Sequence, residues 1–288
     1  MSQQAYTEHY FPTTDGLRLY YRDYGDRQAA RTPLLCLPGL TRNSKDFDDI
    51  ARRHAPQRRV VTVDYRGRGR SAYDPDPANY NPMVYLADLQ LLLAAADIRQ
   101  AVVLGTSMGG LLAMGMAAAL PTVPTGIILN DIGPEIAGTG YGRIAQTVGV
   151  DLHARSFEEA AELWRRSDGA SYPRRDAAGW LKLAHATYCA DEAGTGVRPD
   201  YDLAVGDGLK AQGATPLPDL WPFFRGLGHL PLLVLRGALS DVLSADTLSR
   251  MKREHPGMTA VTIPDVGHVP MLDEPEALAA IDSFLASL

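Results

Sequence analysis

A chain of 288 residues can hold one large domain or two small ones, and 45% hydrophobic with 22% charged residues is ordinary globular composition. A formal net charge of -6 offers no basic field to draw in nucleic acid or an anionic membrane, so neither is expected as a partner. Two cysteines, Cys36 and Cys189, are too few for a disulfide framework and lack zinc-finger spacing.

The amino terminus, Met1-Ser2-Gln3-Gln4, shows no charged stretch leading into an apolar one, so no signal peptide is expected. No apolar run approaches the ~20 residues needed to cross a bilayer, and the cytoplasm is the default expectation. The first structured segment reads as a hairpin: Thr13-Thr14-Asp15-Gly16 supplies an Asp-Gly turn, followed by Leu17, Leu19 and Tyr21 alternating with polar residues. Short apolar runs then recur at Pro33–Leu37, Val60–Val63, Ala101–Leu104, Gly126–Leu129, Leu230–Leu235 and Ala260–Ile263. They are too short for helices and hardly alternate, as strands buried on both faces of a parallel sheet do not. Helical stretches are expected at Met83–Ala96, Met108–Leu120 and Glu276–Leu288. The alternation implies an α/β fold with a mainly parallel central sheet flanked by helices.

One interval breaks the pattern. Between about Ile136 and Gly228 no strand-like run appears, whereas helices are expected at Ser156–Arg166, opened by a Ser156/Glu159 capping box, and at Ala177–Ala190. The expectation is a core domain of residues 1–135 and 229–288 carrying a helical insertion at 136–228.

The sharpest chemical signal is Gly105-Thr106-Ser107-Met108-Gly109, placed between an expected strand and an expected helix. Glycines flanking a serine allow the tight strand-to-helix turn that lifts a hydroxyl above the sheet. A serine hydroxyl needs a base at neutral pH. Of seven histidines only His268, in Pro264-Asp265-Val266-Gly267-His268-Val269-Pro270, follows the last strand, where its loop shares an edge with Ser107. Activity should rise as His268 loses its proton. The base in turn needs a carboxylate. Asp241, after the Leu230–Leu235 run, is the expected acid; Asp131, after Gly126–Leu129, is the alternative, and Asp265 is a turn residue.

These residues, in the order serine, acid, histidine, resemble the α/β-hydrolase fold with a helical cap, over nearly the whole chain. The segment Asp64-Tyr65-Arg66-Gly67-Arg68-Gly69-Arg70-Ser71 resembles a loop common after an early strand in these enzymes; by itself its arginines read as a glycine-spaced solvated turn. The resemblance implies an oxyanion hole formed by the backbone N–H groups of Leu40 and Met108. Related enzymes often carry His-Gly where this chain has Pro38-Gly39, which keeps the amide but removes a side chain that often braces that loop. The implied reaction is hydrolysis of a small, hydrophobic carboxylic ester or lactone through an acyl-enzyme on Ser107. Trp164, Tyr172, Trp180, Tyr188 and Trp221 are expected to line its pocket. Neither cofactor nor metal is expected. Alternatives on the same fold are carbon–carbon bond hydrolysis of ring-fission ketoacids, whose enzymes tend to have asparagine where Thr106 stands, and a slow-turnover ligand receptor. Haloalkane dehalogenases and epoxide hydrolases use an aspartate nucleophile, which Ser107 argues against.

Overall fold

The structure, a computed structural model, describes residues 5–212 and 218–288. Strands β1 (Tyr6–Pro12) and β2 (Arg18–Tyr24) form the expected hairpin, and the chain reverses at Gly16, whose φ of +87° suits glycine. Next come β3 (Arg31–Leu37), α1 (Asp48–His54), β4 (Arg58–Asp64), α2 (Pro82–Ala95), β5 (Ala101–Thr106), α3 (Met108–Ala119) and β6 (Pro124–Asn130). The interval that follows holds α4 (Gly138–Thr147), α5 (Phe157–Asp168), α6 (Ala177–Thr187), β7 (Tyr188–Ala190), β8 (Val197–Pro199), α7 (Val205–Gln212) and α8 (Trp221–Arg225). The chain ends with β9 (Leu232–Gly237), α9 (Ala245–Glu254), β10 (Thr259–Ile263) and α10 (Pro275–Ala286).

Eight strands make one sheet in the order β1-β2-β4-β3-β5-β6-β9-β10, and only β2 runs against its neighbours. All seven residues of β4 and all six of β5 are buried, which explains their unbroken apolar runs. Side chains on one face of the sheet pack with α2, α3 and α9. Those on the other pack with α1, α10 and the α5–α6 pair of the interval. Among the described residues no helix is long and apolar enough to cross a membrane.

Local chemistry sets several boundaries. Asn81 caps α2 by accepting from the amides of Met83 and Val84, with Pro82 at the first helical position. Ser156 caps α5 by accepting from the Glu159 amide, while the Glu159 carboxylate reaches back to the amide of Arg155, one residue short of a reciprocal box. The interval also contains a two-stranded antiparallel ribbon, β7–β8, that sequence reading did not foresee. Its strands have three residues each, and Tyr188–Ala190 was absorbed into the expected helix that in fact stops at Thr187.

The arginine loop differs from its expectation as well. Arg66 and Arg68 are 2% and 0% exposed, not solvated. Arg66 makes a bidentate pair with Asp88 at 2.7 Å and further bonds to Asp15 and Asp74, three carboxylates drawn from distant segments. Only Arg70 stays at the surface, paired with Glu8. Glycine spacing reports the turn, here with positive φ at Gly67 and Gly69, but says nothing of what covers it.

Candidate active site

Ser107 sits between β5 and α3 with φ of +51°, a strained conformation for a residue with a side chain. Its amide donates to the Asn130 carbonyl at 3.0 Å, and its carbonyl accepts from the Gly110 amide at 2.8 Å. Glycine is obligatory around it because α3 crosses so close to the sheet. A Cβ on Gly109 would strike the Leu37 carbonyl, and one on Gly105 would strike the backbone of Gly109 and Gly110.

His268, in the loop after β10, lies with Nε2 2.9 Å from the Ser107 hydroxyl. Its Nδ1 lies 2.7 Å from Oδ2 of Asp131. A neutral imidazole bonded to a carboxylate at Nδ1 carries its proton there, leaving Nε2 to accept from the serine hydroxyl. Asp131 is fully buried, and its charge is met from three sides. Oδ1 accepts from the Gly237 amide at 2.9 Å, and Oδ2 accepts from the Ser240 hydroxyl at 2.6 Å as well as from the histidine. Ser240 Oγ is itself held by the amides of Val242 and Leu243.

The carboxylate expected to orient His268 was Asp241, and the structure corrects that choice to Asp131. β6 and β9 are hydrogen-bonded neighbours, so the loops leaving them open at one place on the sheet edge and either acid could approach the imidazole. Arg143 of α4 decides between them, binding both Asp241 oxygens at 2.7 and 2.9 Å. That guanidinium, with a smaller contribution from nearby His268, holds the Asp241 carboxyl below its ordinary value. Asp265 lies in a turn with φ of +56° and pairs with Arg174 at 3.4 Å.

The two expected oxyanion donors belong to segments that adjoin Ser107. Met108 is the first residue of α3, where helix amides have no partner of their own. Gly39, just before Leu40, is so near that a Cβ there would stand 3.8 Å from the Ser107 Cβ. The turn is closed by the Arg42 amide donating to the Gly39 carbonyl at 3.1 Å.

The five aromatic residues expected to line a pocket serve mainly as packing. Trp164 donates to the Thr187 hydroxyl, and Trp180 meets Tyr172 edge-on at 6.0 Å. Tyr172 donates to the Val269 carbonyl, bracing the histidine loop, while Tyr188 is buried in the core shared by the interval and the sheet. Trp221 packs against Phe224 and lies under the Arg250 guanidinium. None lines the cavity of about 340 Å³ whose walls include Thr106, Asn130, Arg42, Lys45, Arg175 and Pro270, whereas Tyr172 lines a second cavity of similar volume. In the first of these the cations are paired, Arg42 with Asp46, Lys45 with Asp200 and Arg175 with Asp273. Amphipathic aromatic rings fill a helical interval as readily as they line a pocket, so their number could not discriminate.

Sequence reading did not single out Ser240 or Asn130. Asn130 donates its carboxamide to the Thr106 hydroxyl at 3.2 Å and to the Pro270 carbonyl at 2.9 Å, tying the nucleophile strand to the histidine loop. Its position directly before Asp131 was the available signal. Among the described residues no cluster of three or more acids, histidines or cysteines is arranged to hold a metal ion.

Known proteins resemble this chain in sequence and in fold. The alpha/beta hydrolase family profile matches residues 34–281. A 3-hydroxybutyrate-oligomer hydrolase from Cupriavidus necator is 34% identical over 275 residues, 93% of this chain and 92% of that one. A pimeloyl-[acyl-carrier protein] methyl ester esterase from Pectobacterium atrosepticum is 28% identical, covering 90% of this chain and 94% of its own. The crystal structure of an alpha/beta hydrolase from Novosphingobium aromaticivorans superposes over 100% of both chains with a TM-score of 0.94 and 44% identity. The matched span runs from β3 into α10 and takes in the serine, both acids and the histidine: this chain is a member of the alpha/beta hydrolase family.

Proposed function

We propose that the protein is a serine ester hydrolase that cleaves small carboxylic esters, in particular short oligoesters of a hydroxyalkanoic acid, with Ser107, His268 and Asp131 as its triad. The observation that carries this reading is the unbroken hydrogen-bonded line from the Ser107 hydroxyl through His268 to a buried, fully partnered carboxylate. The substrate class is supported by the 3-hydroxybutyrate-oligomer hydrolase that matches 93% of the chain.

The chemistry follows from the geometry. Ser107 Oγ attacks the ester carbonyl while its proton passes to His268 Nε2, and Asp131 stabilises the imidazolium that forms. The amides of Leu40 and Met108 receive the oxyanion. As the carbon–oxygen bond to the alcohol breaks, His268 returns the proton to the leaving oxygen. Water then attacks the acyl-serine, giving its proton to His268, and collapse of the second tetrahedral intermediate frees the acid and restores the hydroxyl. The interval of residues 136–228 acts as a cap, since α4 joins the loop beside the triad through Arg143 and Tyr172 holds the loop after His268.

Hydrolysis of 3-hydroxybutyrate dimer and trimer, and of p-nitrophenyl acetate, tests the proposal in the intact protein. Ser107→Ala is expected to lower turnover of each by about 10⁴-fold or more. Near-normal turnover in that variant would overturn the mechanism. Turnover of the nitrophenyl ester without the oligomers would overturn the substrate class alone.

A further inference from the structure

Three arginines alternate with glycines in the loop after β4, and they have three different surroundings. Arg66 is neutralised by three carboxylates and Arg70 meets Glu8 at the surface. Arg68 is 0% exposed and makes no ion pair among the described residues. Its guanidinium lies over the rings of Tyr85 and Tyr80, with centroid distances of 4.8 and 5.4 Å, and donates from Nη1 to the Arg66 carbonyl at 2.6 Å. Nε donates to the carbonyl of Leu40 at 2.9 Å, and Nη2 is buried with no hydrogen-bond partner among the described residues. Placing an unneutralised cation in the interior is unfavourable, so a charge kept there without a carboxylate calls for a reason beyond packing.

Leu40 supplies that reason. A trans peptide points its N–H opposite its carbonyl, so the direction of the Leu40 N–H follows from where the Gly39 carbonyl is held. That carbonyl accepts from the Arg42 amide, and the next carbonyl, of Leu40 itself, accepts from Arg68. With the peptides on both sides of Leu40 pinned, its amide is held in one orientation, in the segment that follows Gly39 past Ser107. The loop bearing Arg68 is rigid in its turn. The Asp64 carboxylate accepts from the amides of Ser44 and Arg70, and the Gly69 amide donates to Asp200 in the interval after β6.

We propose that Arg68 is a positioning residue that aims the Leu40 amide at the developing oxyanion, replacing from a neighbouring loop the brace that Pro38 cannot supply. This rests on the ester-hydrolase reading above. Deleting an oxyanion donor outright costs ~100–1000-fold in rate, so misaiming one should cost about 10–100-fold.

The test compares the wild type with Arg68→Met, which keeps the bulk, and Arg68→Lys, which keeps the charge and one donor. Each preparation is normalised by titrating Ser107 with a fluorophosphonate, so only folded sites are counted. The readouts are kcat, KM and inhibition by a matched pair of substrate-like ketones, one trifluoromethyl and one methyl. Only the trifluoromethyl ketone adds readily to Ser107 to give a stable oxyanion. Arg68→Met should lower kcat by about 10–100-fold at nearly constant KM, and should lower trifluoromethyl ketone affinity by a similar factor while leaving methyl ketone affinity unchanged. Arg68→Lys should recover part of both losses. Unchanged kcat and ketone preference would overturn the proposal, as would equal loss of affinity for both ketones, the mark of general distortion. Should the Met protein yield no titratable serine, the same comparison on Arg68→Lys decides, with an intermediate loss of preference expected and none overturning it. A wild type that does not favour the trifluoromethyl ketone would instead sink the acyl-transfer reading.

Discussion

Asp131 and Asp241 leave neighbouring strands of the same sheet, within a short reach of the same histidine, and their environments could hardly differ more. Asp131 is wholly buried, with both oxygens satisfied by His268, Ser240 and the Gly237 amide. The Asp241 side chain is 33% exposed and its oxygens are occupied by Arg143 from the interval after β6. A carboxylate can hold an imidazolium only if it is free to face it and its remaining lone pairs are met by neutral donors. One engaged bidentately by arginine has already spent its charge. The loop after β9 is not thereby idle, since it lends Ser240 to the acid of its neighbour.

The comparison breaks most sharply at Asp131. Asp131→Asn preserves the shape but reverses the polarity facing Nδ1, so the imidazole is held in the wrong tautomer, and kcat should fall by about 10⁴-fold in steady-state assays of ester hydrolysis. The same change at Asp241 should cost at most about fivefold, in line with the small worth of a partly solvated ion pair. If the two variants changed places, the acid assignment would be wrong. Ser240→Ala comes next. Losing a hydrogen bond to a buried carboxylate costs about 1.5–3 kcal/mol, which would lower kcat roughly tenfold to a hundredfold if it were all felt at the transition state. An unaltered kcat would show that Asp131 needs only its histidine and the Gly237 amide.

The smallest effect concerns the Arg143–Asp241 pair, and it is one of stability. Arg143→Ala should destabilise the protein at neutral pH by only ~0.2–1 kcal/mol, read from denaturant midpoints, because both partners touch water. The sign with pH follows from the Asp241 carboxyl, which Arg143 holds below its ordinary value of 3.8. A carboxyl depressed on folding contributes stability above its unfolded value and loses that contribution as pH falls. The difference between wild type and Arg143→Ala should therefore be constant near neutrality and fade as the pH is taken below about 3.8. A difference that grew on acidification would contradict the pairing.

Much of this protein could be read before its coordinates. Unbroken apolar runs such as Val60–Val63 and Ala101–Leu104 mark strands buried on both faces, and β4 and β5 are buried throughout. Gly105, Ser107 and Gly109 announce a turn that no larger residues could make, as the close approach of α3 to Leu37 shows. His268 followed from its place after the last strand, because the topology brings that end of the strand to Ser107. These are local properties of the chain, or consequences of parallel connection, and they need no knowledge of side-chain partners.

What only the tertiary structure decided are the matters in which distant groups compete for one partner. Arg143 and Asp241 lie 98 residues apart, and nothing near either in the chain states that they pair. Arg66 gathers carboxylates from positions 15, 74 and 88, so a segment that looks like a solvated turn becomes a buried hub. The short β7–β8 ribbon exists because two three-residue stretches meet, not because either has strand character of its own. Sequence alone therefore determined the sheet, the tight turn at Ser107 and the edge of the sheet at which His268 meets it, since periodicity and backbone sterics act over a few residues. Which carboxylate meets His268, how the aromatic residues pack and which side chain reaches the Leu40 carbonyl depend on which charge or ring arrives first in three dimensions, and burial and hydrogen bonding settle that only once the chain has folded.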